Sequence, residues 1–267
     1  MDGLLHGKVA VITGAGSGVG RAACVVFARH GARVLAADVN GDAAAETARL
    51  VTDAGGQAIS AACDVADAAA VDALVAQAVA AFGRLDVMYN NAGITVLPEP
   101  GKGLRKLAET PPELIDRVFD VNVRGVMNGC NAAIRQFEVQ TASGSPGGVI
   151  VNTASIAGLI GYGGVAYGSS KGAVTMLTKA LALEVAHLGV RVNSVCPAGM
   201  PTNFMPGMAT SPAARASMGA AHPLGRPIEP EECANAALFL ASDLAANITG
   251  VNLPVDGGLS AGVPPRR

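Results

Sequence analysis

Apolar positions along the chain follow two rhythms. Short, nearly unbroken runs of Val, Ile, Leu and Ala alternate with longer stretches in which apolar residues recur every three or four positions. The short runs read as strands covered on both faces of a parallel sheet, and the longer stretches as amphipathic helices. Residues 8–13 (KVAVIT) form the first run; TGAGSGVG follows at 13–20, and a helical pattern covers 21–30 until Gly31 stops it. A second strand over 32–37 ends at Asp38, and a helix over about 42–54 is closed by Gly55 and Gly56. Residues 57–63 give a third strand with Asp64 at its tip. Asp67 caps the next helix, whose apolar face carries Val71, Leu74, Val75, Val79 and Phe82 and which Gly83 ends. The fourth strand, 85–89, runs into Asn90, Asn91, Ala92 and Gly93.

The rhythm breaks at 98–112, where glycine, proline and charge predict an exposed loop. A helix over about 112–140 then carries Asn122. A β-branched run from Val149 gives strand five, and its helix starts near Val165 and reaches about His187. Residues 190–196 (VRVNSVC) are strand six. The segment 198–222 has no clear period, is rich in Met, Pro and small residues, and predicts a mobile flap. A last helix covers 231–242, and a short strand, 252–255, precedes Asp256, Gly257 and Gly258. Strand–helix alternation of this regularity implies right-handed βαβ units, hence an α/β, doubly wound parallel sheet. No linker or charge block divides it, so residues 1–267 are expected to form one domain.

Composition narrows the class. Half the residues are hydrophobic but only 3% are aromatic, so the core must be built from Ala, Val, Leu and Ile. A net charge of −2 offers no basic footprint for nucleic acid or an anionic membrane. Cys24, Cys63, Cys130, Cys196 and Cys233 are scattered, odd in number and form no CxxC pair; they read as reduced, mostly buried thiols of a cytoplasmic protein. Residues 1–7 are too few for a signal peptide, and no apolar run approaches a membrane span.

The candidate chemistry sits in 149–171 (VIVNTASIAGLIGYGGVAYGSSK). Tyr167 and Lys171 stand four apart at the start of a helix, so both point from one face. A phenol is a poor general base at neutral pH unless its phenolate is stabilised, and an ammonium one turn away supplies that. Ser155, at the end of strand five, can bind the oxygen that Tyr167 protonates or deprotonates. These parts suit proton transfer on an alcohol or carbonyl. For the electrons, Gly14, Gly18 and Gly20 lie between a buried strand and a helix, where missing Cβ atoms let the backbone approach a pyrophosphate at a helix N-terminus. Asp38 ends strand two, eighteen residues after Gly20. A carboxylate there accepts hydrogen bonds from an adenosine ribose and repels a 2′-phosphate; the bland alternative is that it caps the following helix. Neither Val39 nor Asn40 supplies positive charge, which favours NAD over NADP.

Together these residues resemble the short-chain dehydrogenases/reductases over almost the whole chain, from Lys8 to about Gly262. The pieces fall in that family's order: TGAGSGVG, Asp64-Val65, the NNAG run ending at Gly93, Asn122, Ser155, Tyr167-xxx-Lys171 and the segment from Pro197 to Thr202. The resemblance implies a Rossmann-type sheet of about seven strands and a secondary alcohol dehydrogenase or ketone reductase; with Asp38 the expected cofactor is NAD, and with the Met-rich flap the expected substrate is a fairly apolar small molecule. It makes Tyr167 the general acid/base, Lys171 the holder of the nicotinamide ribose that lowers the tyrosine pKa, Ser155 the group that polarises the substrate oxygen, and Asn122 the support of a water relay to Lys171. Gly14, Ser17, Gly18, Val19 and Gly20 would cradle the pyrophosphate, Asp64 and Val65 would bracket the adenine, and Asn91, Ala92 and Gly93 would line the cofactor path. Pro197, Met200 and Thr202 would hold the nicotinamide end. A homotetramer is the family default, with a homodimer as the alternative.

Two departures stand out. Ser155 lies twelve residues before Tyr167, one fewer than usual, and strand six is followed by Pro197-Ala198-Gly199 instead of Pro-Gly. Asn122 also reads as a buried, satisfied amide, and Ser155 as a simple cap, with Thr153 as its substitute. His187 and His222 read as surface or packing residues, and no metal site is expected. Met200, Met205, Met208 and Met218, with Phe204, either pack the flap against the body or form an adaptable lid over an apolar substrate. Two other functions fit the pattern: an NAD-binding regulator without turnover, and a dehydratase or epimerase that does not consume its cofactor.

Overall fold

Seven strands form one sheet in the order β3-β2-β1-β4-β5-β6-β7, every neighbouring pair parallel. They are β1 (Val9–Thr13), β2 (Arg33–Asp38), β3 (Gln57–Ala62), β4 (Val87–Asn90), β5 (Gly148–Thr153), β6 (Val190–Pro197) and β7 (Asn252–Val255). The computed structural model describes residues 3–97, 104–202, 204–205 and 207–262. The strand order reverses between β1 and β4, and the crevice at such a switch point, beyond the carboxyl ends of the strands, is where doubly wound sheets bind ligands.

Successive residues of a strand face opposite sides, and β1 shows why its apolar run is unbroken. Val9 and Val11 enter one core with Leu35 and Ala37, against α3 (Ala68–Phe82), α5 (Gly125–Ala142) and α6 (Val165–Glu184). Ala10 and Ile12 enter the other with Val34 and Ala36, against α1 (Gly18–Arg29) and α8 (Pro230–Ala241). Phe27 of α1 and Tyr89 of β4 supply the bulk that the small residues lack; both are fully buried and stack 6.1 Å apart. Close approach of helix to sheet is made by glycine: a Cβ on Gly129 of α5 would lie 1.9 Å from the Asn90 side-chain oxygen. On β6, Arg191 donates to the carbonyls of Leu240, Ala241, Ser242 and Ile248, closing the carboxyl end of α8. All five cysteines are free and buried. Among the described residues no helix is long and apolar enough to cross a membrane.

The structure redraws several boundaries. α1 begins at Gly18, three residues before the expected start at 21, because the glycine turn itself supplies the helix N-terminus. α2 runs Gly41–Asp53, capped by Asn40, whose side chain accepts from Ala43 N. The helix expected over 112–140 is instead α4 (Pro112–Phe119), a π-turn (Asp120–Arg124) and α5, with Asn122 in the π-turn. Of the loop expected over 98–112, residues 98–103 lie outside the described residues; the remainder holds a short 3-10 turn, Leu107–Glu109. The segment 198–222, expected to be an irregular flap, contains α7 (Pro212–Ala221). Ser211 caps it, accepting from Ala214 N, and a proline sits in its first turn.

Candidate functional site

The glycine turn after β1 is folded by its own backbone needs. Gly14 has φ +64°, and a Cβ there would lie 2.8 Å from the Ala92 Cα, so only glycine lets the turn lie against the end of β4. Gly20 serves packing, since its Cβ would fall 2.1 Å from the Gly14 carbonyl oxygen. The Thr13 hydroxyl accepts from the amides of Asn91 and Ala92, and the Asn91 side chain donates back to the carbonyls of Thr13 and Gly14. Thr13 was not singled out from the sequence; its place as the last residue of a buried strand is the signal that was there.

Asp38 closes the turn from the side. Its carboxylate accepts from Gly16 N and Asn40 N, both at 2.9 Å. Asn40, not Asp38, caps α2, so the capping alternative for Asp38 fails. Arg21, the first cation after the glycine turn, is occupied by the Gly16 carbonyl, Thr47 and Glu46.

The second half of the site grows from β5, β6 and α6. Ser155 follows β5 in extended conformation; its hydroxyl accepts from Ala157 N and donates to the Pro197 carbonyl at 3.2 Å. Lys171 is 2% exposed, and its Nζ donates to the Thr153 carbonyl at 2.8 Å while standing 5.7 Å from the centre of the Tyr167 ring. Burial pushes Tyr167 up to about 12, opposed chiefly by its hydrogen bond with Ser155. Burial also takes Lys171 down to about 8. Desolvation thus sets the direction of the Tyr167 shift, while Lys171 Nζ is directed to the Thr153 carbonyl.

Asn122 is fully buried. Its Oδ1 accepts from Ile94 N, and its Nδ2 donates to the Ile94 carbonyl and the Ser170 hydroxyl. This is the satisfied amide of the bland reading, set beside Lys171: a Cβ on Gly93 would lie 3.3 Å from Asn122 Oδ1 and 3.4 Å from Lys171 Nζ. A related network, missed in the sequence, links Asn90, Asn152 and Thr178 beneath the site.

One cavity of about 1270 Å³ joins the two halves. Gly14, Ser17, Gly18, Val19, Asp38, Asn91, Ala92 and Gly93 line one end, and Ser155, Tyr167, Lys171, Pro197, Met200 and Thr202 line the other. Gly20, Asp64, Val65 and Asn122 are not part of its lining. Asp64 is held by Ala66 N and by Arg117, which keep its carboxyl below its ordinary value. All four methionines of 198–222 and Phe204 line the cavity, with Phe204 packed 5.8 Å from the Tyr167 ring. Leu97 and Leu104, at the margins of the long loop, line it too. His187 is exposed against the Glu184 carbonyl, whereas His222 is buried beside Gly257 without a hydrogen-bond partner among the described residues.

The glycine turn and the Asp38 carboxylate beside it have the chemistry to hold a dinucleotide, and the hydroxyl, phenol and ammonium that of proton exchange with an alcohol. Comparison with known proteins agrees. A protein-family model described as "Enoyl-(Acyl carrier protein) reductase" matches residues 14–260. The chain is 40% identical to 3beta-hydroxysteroid dehydrogenase 2 of Eggerthella lenta over 97% of its own length and 96% of that protein's. It is 38% identical to a cyclohexanol dehydrogenase of an Acinetobacter species, covering 98% of both chains. Among solved structures, 3-ketoacyl-(acyl-carrier-protein) reductase from Brucella melitensis complexed with NADH superposes with a TM-score of 0.85 at 38% identity, covering 96% of this chain and 99% of that one.

Proposed function

The chain belongs to the short-chain dehydrogenase/reductase family, and from that premise we propose that it oxidises uncharged, apolar ring alcohols to ketones with NAD, Tyr167 serving as the base. That it is an oxidoreductase of CH–OH groups with a nicotinamide cofactor follows from its relatives. The finer reading is carried by one observation: Ser155, Tyr167 and Lys171 converge on a cavity whose other end is the glycine turn with Asp38.

In this reading Ser155 holds the substrate oxygen and Tyr167 takes its proton. Lys171 carries positive charge beside the phenol, and Asn122 acts as a positioning residue by fixing Ile94 and Ser170 around Lys171. Bound nicotinamide accepts or returns the hydride. Gly14, Ser17, Gly18, Val19 and Gly20 form the pyrophosphate turn, Asp38 binds the adenosine ribose, and Asp64 and Val65 border the adenine. Asn91, Ala92 and Gly93 line the path, and Pro197, Met200 and Thr202 hold the nicotinamide end. The preference for NAD rests on the Asp38 carboxylate and on Arg21 being already engaged.

Ring alcohols are favoured because a hydroxysteroid and a cyclohexanol dehydrogenase are among the relatives, and because the substrate wall is built from methionine, leucine and phenylalanine. The chain acts as one domain of 267 residues, as a homotetramer in the cytoplasm. The test is absorbance at 340 nm with NAD or NADP and a panel of cyclic and acyclic secondary alcohols. Turnover with NAD on cyclic members is the expected result. NAD binding without turnover on any member, or a preference for NADP, would overturn it.

A further inference from the structure

Tyr162 stands on the short glycine turn that enters α6, and no role has so far been given to it. Gly163 and Gly164 have φ of +76° and +87°, and a Cβ on Gly163 would lie 3.2 Å from the Tyr167 ring. A Cβ on Gly168 would in turn lie 3.3 Å from the Tyr162 carbonyl, so the turn is folded down onto the first turn of α6. Tyr162 is thereby held in a fixed relation to Tyr167. Its phenol reaches across the cavity: a Cβ on Gly199 would sit 3.2 Å from the Tyr162 hydroxyl. That contact gives a physical role to the unusual Pro197-Ala198-Gly199 sequence, since glycine at 199 leaves room for the phenol.

The Tyr162 hydroxyl has no hydrogen-bond partner among the described residues, although it lines the cavity. It enters a wall otherwise made chiefly of Ile94, Leu97, Leu104, Val165, Phe204 and the flap methionines. Among the described residues, Asp38 and Lys171 are the only charged side chains lining the cavity; Asp38 lies at the glycine-turn end, and Lys171 is bound to the Thr153 carbonyl. A single phenol in such a wall suits one neutral hydrogen bond and gives no counter-charge for an anion. The hydroxyl also faces the segment whose Pro197 carbonyl holds Ser155, close to where the carbinol must lie.

The geometry points to Tyr162 as a specificity-determining residue, its hydroxyl binding a second uncharged oxygen, a hydroxyl or carbonyl, borne by the substrate near the carbon that reacts. This rests on the proposed alcohol oxidation and names the kind of alcohol it selects: a diol or hydroxyketone over a plain cycloalkanol.

The experiment compares wild type and Tyr162→Phe on trans-1,2-cyclohexanediol and on cyclohexanol, with NAD. The variant is expected to lower the diol-to-cyclohexanol ratio of kcat/KM about fivefold, the size of one neutral hydrogen bond, mainly through KM for the diol. Its kcat and KM for cyclohexanol should stay unchanged. An unmoved ratio, an equal loss on both alcohols, or a wild-type preference for cyclohexanol overturns the inference while leaving the proposed function standing. Wild type oxidising neither alcohol overturns the proposed function and the inference with it.

Discussion

Tyr167 and Lys171 are moved in opposite directions by one cause, burial, to about 12 and about 8. The phenolate needed to take a proton from an alcohol thus becomes more abundant throughout the accessible alkaline range. Log kcat/KM for alcohol oxidation is expected to climb with pH from 7 to about 8, above which Lys171 loses its charge and the climb slackens, while the protonated phenol used in ketone reduction stays in place throughout. A plateau in oxidation near pH 7 would show that the phenol titrates there instead. Tyr167→Phe should cut turnover by roughly a hundred- to ten-thousand-fold with NADH binding, followed by fluorescence, nearly intact. For Lys171 the folded value lies below the ordinary 10.5, so the unfolded chain binds the extra proton between about 8 and 10.5 and stability from this group rises with pH across that window. The pairing of these two residues was legible because a four-residue spacing at a helix start fixes a shared face. Their titration was not, because desolvation depends on which neighbours close over them. The same limit applied to Asn122, whose saturated amide is visible only once Ile94 and Ser170 are placed beside it.

At the scale of elements, hydrophobic rhythm located every strand, most plainly the central ones, which are short runs buried between two helical layers. It failed where a helix carries little apolar contrast: α7 (PAARASMGAA) has alanine and glycine on most of its faces, and its signals were the Ser211 cap and the proline after it. It also passed over the π-turn at Asp120–Arg124, because one extra residue per turn leaves the composition of a helix unaltered. The close seating of α5 on β4 gives a direct check. Gly129→Ala places a methyl into the Asn90 amide that bonds Asn152, and should cost about 1–3 kcal/mol in urea unfolding. An unchanged midpoint would mean that α5 stands further from the sheet.

For the whole molecule, the parallel order and its reversal between β1 and β4 place the two halves of the site side by side, although the glycine turn and Ser155 lie far apart in sequence. The regular alternation made that architecture legible; the position of 198–222 over the cavity was not, since nothing local to it says which surface it covers. Large apolar side chains remain exposed on the outer helices, including Met127 and Val139 on α5 and Met176 and Leu183 on α6. With the proposed homotetramer, light scattering after size exclusion should return four chain masses, and a monomer at micromolar concentration would count against it.

The groups assigned to proton transfer and dinucleotide binding stand mostly on strand ends, the glycine turn and α6, whereas the wall facing the substrate comes from loop margins, the glycine turn before α6 and the methionine-bearing cover. Selection can therefore act on the two sets separately. A lineage built on this frame is free to exchange what it oxidises by rewriting a few connecting segments, while the machinery that performs the oxidation is inherited unchanged.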